Sequence, residues 1–141
     1  MANFGTGHEW LMAIADALAA NTEFAEAWTI VTNNDAITSA PTAPTVYLEW
    51  VSTGQGALSE EDPSACGHVV AAILVFPHGA SPNLTTIREK LATGGQDLVE
   101  ALSTTAGVPT PSTWSMDYTP KLVVSELECS VLAMQLETNI Y

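Results

Sequence analysis

At 141 residues the chain has the length of one domain, and a chain of that size buries about 70 % of its unfolded surface, so a single core is expected over residues 1–141. Hydrophobic residues make up 47 % of it, which excludes intrinsic disorder, and the longest apolar run, His68 to Pro77, is well short of the ~20 residues a membrane helix needs. Against 16 acidic residues stand only Arg88, Lys90 and Lys121, a formal charge of −13 that leaves counterion release almost nothing to work with and repels DNA and anionic membranes alike.

The first residues, MANFGTGHEW, lack the basic and apolar segments of a secretion signal, so synthesis in the cytoplasm is expected. Thr6 followed by Glu9 matches the capping box, and Trp10, Leu11, Ile14 and Leu18 then recur at helical spacing to about Asn21, which predicts an amphipathic first helix. Ala25 to Thr32, with its aromatic and β-branched residues, reads as a strand running into a turn at Asn33-Asn34-Asp35, and Ser39 to Pro44 reads as loop. Thr45 to Ser52 alternates Val46, Leu48 and Trp50 with Tyr47, Glu49 and Val51, the pattern of a second strand. Thr53 to Ala65, rich in Gly, Ser and acid, is a long hairpin loop in which Glu60, Glu61 and Asp62 concentrate negative charge.

Cys66 to Phe76 is nearly all apolar and predicts a central strand packed on both faces. Ser81-Pro82 suits a helix start, with Ser as cap, and Leu84, Ile87 and Leu91 follow on one face. Two adjacent glycines cost about 2 kcal/mol relative to alanine inside a helix, so a break is expected at Gly94-Gly95, with a second short helix from Gln96 to Ser103. After a loop from Thr104 to Ser112, Thr113 to Thr119 is a candidate strand that Pro120 breaks, and Leu122 to Glu137 is the last and longest strand. Leu127, Cys129, Val131 and Ala133 share one of its faces and Leu132, Met134 and Leu136 the other, which predicts a layer above and a layer below its second half. The order α-β-β-β-α(α)-β-β gives an α+β domain, a mostly antiparallel sheet packed against helices.

Chemistry-bearing constellations are sparse. His8, His68 and His78 show no metal-ligand spacing, and two lone cysteines, Cys66 and Cys129, do not make a zinc site and read as buried thiols. Cys66 and His68 sit at same-face spacing and are the one nucleophile-and-base pair worth naming, yet no third orienting group accompanies them. There is no P-loop, no GxGxxG after a strand, no GxSxG and no calcium-loop pattern, so neither a cofactor nor an enzymatic activity is expected. Trp10, Trp28, Trp50 and Trp114 fall on four different elements, which suits core anchoring or an interface better than a ligand platform.

In pattern over most of its length the chain resembles the tail terminator proteins of long-tailed bacteriophages, the family of the lambda tail terminator. The residues that carry the resemblance are the short N-terminal helix, Pro44-Thr45-Val46-Tyr47-Leu48 as the first well-marked strand, the acidic loop Thr53 to Ala65, the apolar strand Val69 to Phe76, the helical stretches Leu84 to Leu91 and Gln96 to Leu102, and the closing strand Leu127 to Leu136. The near absence of basic residues and the Ala-rich first helix depart from the family.

The resemblance implies a virion protein of the tail-neck region, a homo-oligomer forming a hexameric ring on the tail tube protein. The ring ends tube polymerisation and docks onto the head-tail connector or head-closure protein. It has no specific nucleic-acid binding and no membrane partner, although DNA passes through its lumen. Such a ring needs heterologous contacts that close, so projecting loops and an exposed terminus become the candidate interface. On the loop Gln55 to Asp62 these are Gln55, Leu58, Glu60, Glu61 and Asp62. On Asn33 to Ala43 they are Asn34 and Asp35, on Thr105 to Ser112 they are Val108 and Thr110, and at the terminus Tyr141. If acids line the lumen, passing DNA is repelled from the wall. Three other readings stay open: another neck component (head-closure or tail-completion), an acidic DNA mimic, and an enzyme built on Cys66 and His68.

Overall fold

The computed structural model describes residues 6–32, 41–55, 66–81, 83–105, 108, 111, 113–124 and 126–140. They form α1 (Gly7–Ala20), α2 (Thr22–Ala27), β1 (Thr29–Val31), β2 (Thr45–Gln55), β3 (Cys66–Pro77), a 3-10 turn at His78–Ala80, α3 (Leu84–Thr104), β4 (Thr113–Val124) and β5 (Leu127–Ile140). The five strands make one sheet in the order β1-β2-β3-β5-β4. β1 joins β2 in parallel and the other three pairings are antiparallel. The expected α+β class, with β3 at the centre of a mostly antiparallel sheet, is what the chain adopts.

α1 starts where the capping pattern places it: the Thr6 hydroxyl accepts from the Glu9 N–H at 3.1 Å. Its apolar stripe, Trp10, Leu11, Ile14 and Leu18, is buried on the sheet. Asn21 ends this helix, its N–H reaching the Leu18 carbonyl, and begins the next, its side-chain oxygen accepting from the Phe24 N–H at 3.1 Å. That corner overturns the expected strand from Ala25. Glu and Ala are strong helix formers, and once Asn21 caps them the turn runs to Ala27. Only Thr29–Val31 is left to pair with β2.

α3 also departs from expectation, in two places. Its cap is Asn83, whose side-chain oxygen accepts from the N–H groups of Thr85 (2.9 Å) and Thr86 (3.2 Å); Ser81 takes the Asn83 N–H instead. Pro82 lies outside the described residues. The helix then runs unbroken through Gly94 and Gly95 for 21 residues. Both glycines are buried against the sheet, where a Cβ on Gly94 would stand 2.7 Å from the Trp28 ring and one on Gly95 would stand 2.8 Å from Leu132 and 3.0 Å from Met116. The pair weakens the helix as a helix and lets it lie closer to the sheet.

The last two strands divide differently from the sequence reading. β4 continues through Pro120 to Val124, and the chain has reversed by Leu127, with a φ of 69° at Glu126. Proline is tolerated because β4 is an edge strand, and the Pro120 carbonyl accepts the Ser130 hydroxyl at 2.7 Å within a register irregularity between Thr119 and Leu122. Leu122 therefore belongs to β4, and β5 begins at Leu127.

The three helices share one core with one face of the sheet: Val46, Leu48, Val70, Ala72, Leu74, Phe76, Leu132, Met134 and Leu136 all point to them. The expected double burial of β3 and of the second half of β5 is not found. Among the described residues the other face carries only a small buried cluster, Tyr47, Val75, Cys129 and Val131, with Val31 and Ile73 at its margin. β5 is buried on both faces in its first half, at Cys129 to Leu132, and beyond that Ala133, Gln135 and Glu137 are exposed.

Two substitutions test this account by thermal denaturation. Asn21→Ala removes the side-chain oxygen that caps α2 and is expected to cost about 1 kcal/mol, a fall in Tm of about 3 °C. Gly94→Ala, which should gain about 1 kcal/mol from helix propensity, is expected to lower Tm all the same, because the added methyl overlaps the Trp28 ring. A rise in Tm would show that α3 does not lie this close to the sheet.

Candidate functional site

Of the residues expected to form an interface, Asn34, Asp35, Leu58, Glu60, Glu61, Asp62, Thr110 and Tyr141 lie outside the described residues. Gln55 is not in a loop: β2 runs to it, and it pairs with Cys66 of β3. Val108 does not project either; it is partly buried against the main core, as an apolar side chain beside the end of α3 should be.

The Cys66 and His68 pair takes a structural role on the His68 side. His68 is 1 % exposed, and its Nδ1 lies 2.7 Å from the Thr53 hydroxyl, which in turn accepts from the Trp50 indole N–H at 3.0 Å. A bulge at Val51 turns Trp50 and Thr53 to the same side of β2, so the three groups lock the end of that strand to β3. α1 begins directly on the indole: a Cβ on Gly7 would overlap the Trp50 ring. Cys66 pairs with Ile140, whereas Cys129 pairs with Pro77 at the other end of the same ladder. At ~3.3 Å per residue the two cysteines are roughly 35 Å apart, far beyond the reach of a disulfide. No group of three metal-ligating side chains occurs among the described residues, and no helix there is long and apolar enough to cross a membrane.

What the sheet does present is one open side. β4 is exposed along almost its whole length. Trp114, Met116 and Tyr118 pair with Leu136, Met134 and Leu132, so they face the helix side. Met116 packs against the core beside Gly95 of α3, and Trp114 and Tyr118 on either side of it stay exposed. Past Pro120 the β4–β5 hairpin carries Leu122, Val123 and Leu127 to the surface, the last two 57 % and 53 % exposed. Among the described residues nothing pairs with the outer side of β4, and a long edge with exposed apolar side chains is a liability in a monomer that natural proteins ordinarily blunt or cover.

The hairpin is fixed by polar contacts. The Lys121 ammonium bonds the Glu128 carboxylate at 2.9 Å, and His78 Nδ1 stands 3.5 Å from the same carboxylate. Lys121, first by its hydrogen bond and then by its charge, holds the Glu128 carboxyl below its ordinary range. His78 Nε2 also lies 2.9 Å from the Ser130 hydroxyl, the group that donates to the Pro120 carbonyl.

At the opposite edge of the sheet lies a groove of about 410 Å³ between α3 and the segment that enters β1. Its floor is Trp28, Phe76 and Pro44, and Glu89, Lys90 and Asp97 stand at its rim. Trp28 meets Phe76 edge to face, centroids 6.2 Å apart, and Lys90 lies over the Phe76 ring. Neither groove nor hairpin was named from sequence. The signal for the hairpin was present in LVVSELE, where Ser and Glu interrupt an apolar run and mark a turn.

No protein-family model matches the chain, and comparison with curated proteins finds no match.

Burial pushes the Cys129 thiol up, and burial first, then the neighbouring Cys129, pushes the Tyr47 phenol up. Both groups are neutral in the native state, so their contribution to stability is whole below the ordinary thiol value of about 8.5 and is lost as pH rises through the raised native values. Urea midpoints should therefore fall between pH 8 and pH 10.5, and Cys129→Ala should reduce that fall without abolishing it. An equal fall in the variant would mean that the thiol has no part in it.

Proposed function

We propose that this chain is a structural virion subunit of the tail-terminator kind, one copy of a ring that caps a phage tail tube, ends its polymerisation and joins the tail to the head connector. The observation that carries the reading is the open β4 edge with its apolar hairpin. A subunit that works by contact with further copies has use for such a surface, whereas a monomeric enzyme or a soluble mimic of nucleic acid would be burdened by it. The small size and the single-sided layering fit a module that is completed by its neighbours.

The charge of the chain fits the same role. Each copy brings −13 to the ring, so subunits repel one another at long range and association must come from a short-range apolar seam. Acids turned to the lumen would keep passing DNA off the wall.

Two measurements test the reading. Light scattering over a concentration series, followed by electron microscopy, should find closed rings, and raising NaCl from about 20 mM to about 300 mM should strengthen assembly by screening the like charges. Rings added to polymerising tail tube protein should stop elongation. Tubes that lengthen at the same rate with and without the chain would sink the terminator assignment.

A further inference from the structure

We infer that the ring seam is a knob and a hole: the β4–β5 hairpin of one copy seats in the Trp28–Phe76 groove of the next. The inference rests on the ring reading above and adds the surface and the partner to it.

The sheet register places both parts. Thr29 pairs with Thr45, Thr45 with Val75, Val75 with Val131, and Val131 with Thr119, so these five residues form one row across the sheet from edge to edge. Trp28, Pro44 and Phe76 are each one residue beyond that row on the same side of it, and they floor the groove. The hairpin, residues 120–124 and 126–130, lies beyond the row on that side too, at the other edge. Knob and hole therefore sit at one level of the sheet, the knob at the β4 edge and the hole reaching from the β1 edge to β3, roughly 10 to 19 Å away across two to four strand spacings. A heterologous contact with a large rise along its axis builds a filament, whereas one without a rise can close. The shared level removes the rise along the strands.

The chemistry of the two surfaces also fits. Val123, Leu122 and Leu127 give the knob an exposed aliphatic tip, and the hole is floored by the edges of the largely buried Trp28 and Phe76 rings. The chain has three cations in all, and one stands on each surface: Lys121 on the knob and Lys90 at the rim. Each is matched by acids on the other side, Glu89 and Asp97 around the hole and Glu126 and Glu128 on the hairpin. Lys90 at the rim can therefore meet Glu126 of the hairpin across the seam, and Lys121, held on Glu128 within the hairpin, brings a positive charge towards Glu89 and Asp97.

A heterologous seam has a diagnostic that an isologous one lacks. Val123→Glu spoils the knob and leaves the hole; Thr93→Trp fills the hole from an exposed position of α3 and leaves the knob. Each variant alone should stay monomeric at concentrations where the parent assembles, with association weakened at least tenfold. Mixed in equal amounts, they should form a particle of two chains and stop there, because only one good knob and one good hole remain. Circular dichroism melts establish that each variant is folded, and Leu127→Glu replaces Val123→Glu if the latter is not. Variants that assemble like the parent, or a mixture that stays monomeric, overturn the seam while leaving the ring. A parent that stays monomeric at every concentration overturns the ring reading and the seam with it.

Discussion

The close approach of α3 to the sheet is the constraint on which the rest depends. Gly94 and Gly95 take the Trp28 ring and the Leu132 and Met116 side chains where any other residue would hold the helix away. With the helix set so low, Ile87, Leu91, Leu98 and Leu102 are fully buried in a core that also holds Trp10, Ile14 and Leu18 of α1. The helices lie along the inner strands. β4 is left mostly outside that cover, with Met116 beside Gly95 its most buried residue before Val124. The same glycines also shape the groove at the other edge, because Trp28 settles beside Gly94 and becomes its floor. One local exception to helix propensity thus sets the core, the open edge and the groove together.

That arrangement explains how so acidic a chain tolerates a sticky edge. Unspecific edge pairing between copies is opposed by −13 on each molecule at separations where charge is incompletely screened. The Pro120 in β4 and the irregularity beside it interrupt regular pairing along the strand. Asp117 sits in the middle of the remaining run, so two such runs set against each other bring carboxylates together. What remains open to association is the hairpin tip, where Leu122, Val123 and Leu127 are fixed by the Lys121, His78 and Glu128 contacts beneath them.

Much of this fold was legible in the sequence where the signal was local and periodic. The Thr6 cap, the stripe from Trp10 to Leu18, the alternation in β2 and the apolar run of β3 each report a single physical preference with nothing opposing it. Two of the differences share a cause, which is that tertiary contact outweighs a local rule. Gly94-Gly95 reads as a break only while the sheet it packs against is unseen, and Pro120 reads as a stop only until β4 is known to be an edge. Ala25 to Ala27 was assigned to a strand on the strength of the β-formers that follow it, although Asn21 three residues before Phe24 was the better guide. The candidate site was less legible. Loop composition singled out residues such as Glu60 and Val108, whereas exposure of Val123 and Leu127 depends on how far α3 reaches across the sheet, and no sequence pattern states that distance.

The proposed pairing of hairpin with groove also bears on why a closed ring would follow from one chain without a template. If the apolar tip met its receptor at a different height, each added copy would climb, and the repulsion among many acidic subunits would grow along an open filament. At a common height the chain of contacts can return to its start, and the final contact forms without the translational and rotational loss that each earlier one incurred. Closure then supplies cooperativity that a weak single seam lacks. A few exposed aliphatic side chains are worth only about 1.5–3 kcal/mol each when fully buried, so single contacts between such charged subunits are expected to be transient and the closed set to be the stable species. This is the behaviour a capping subunit needs: soluble as single copies during synthesis, and persistent once the last copy is seated.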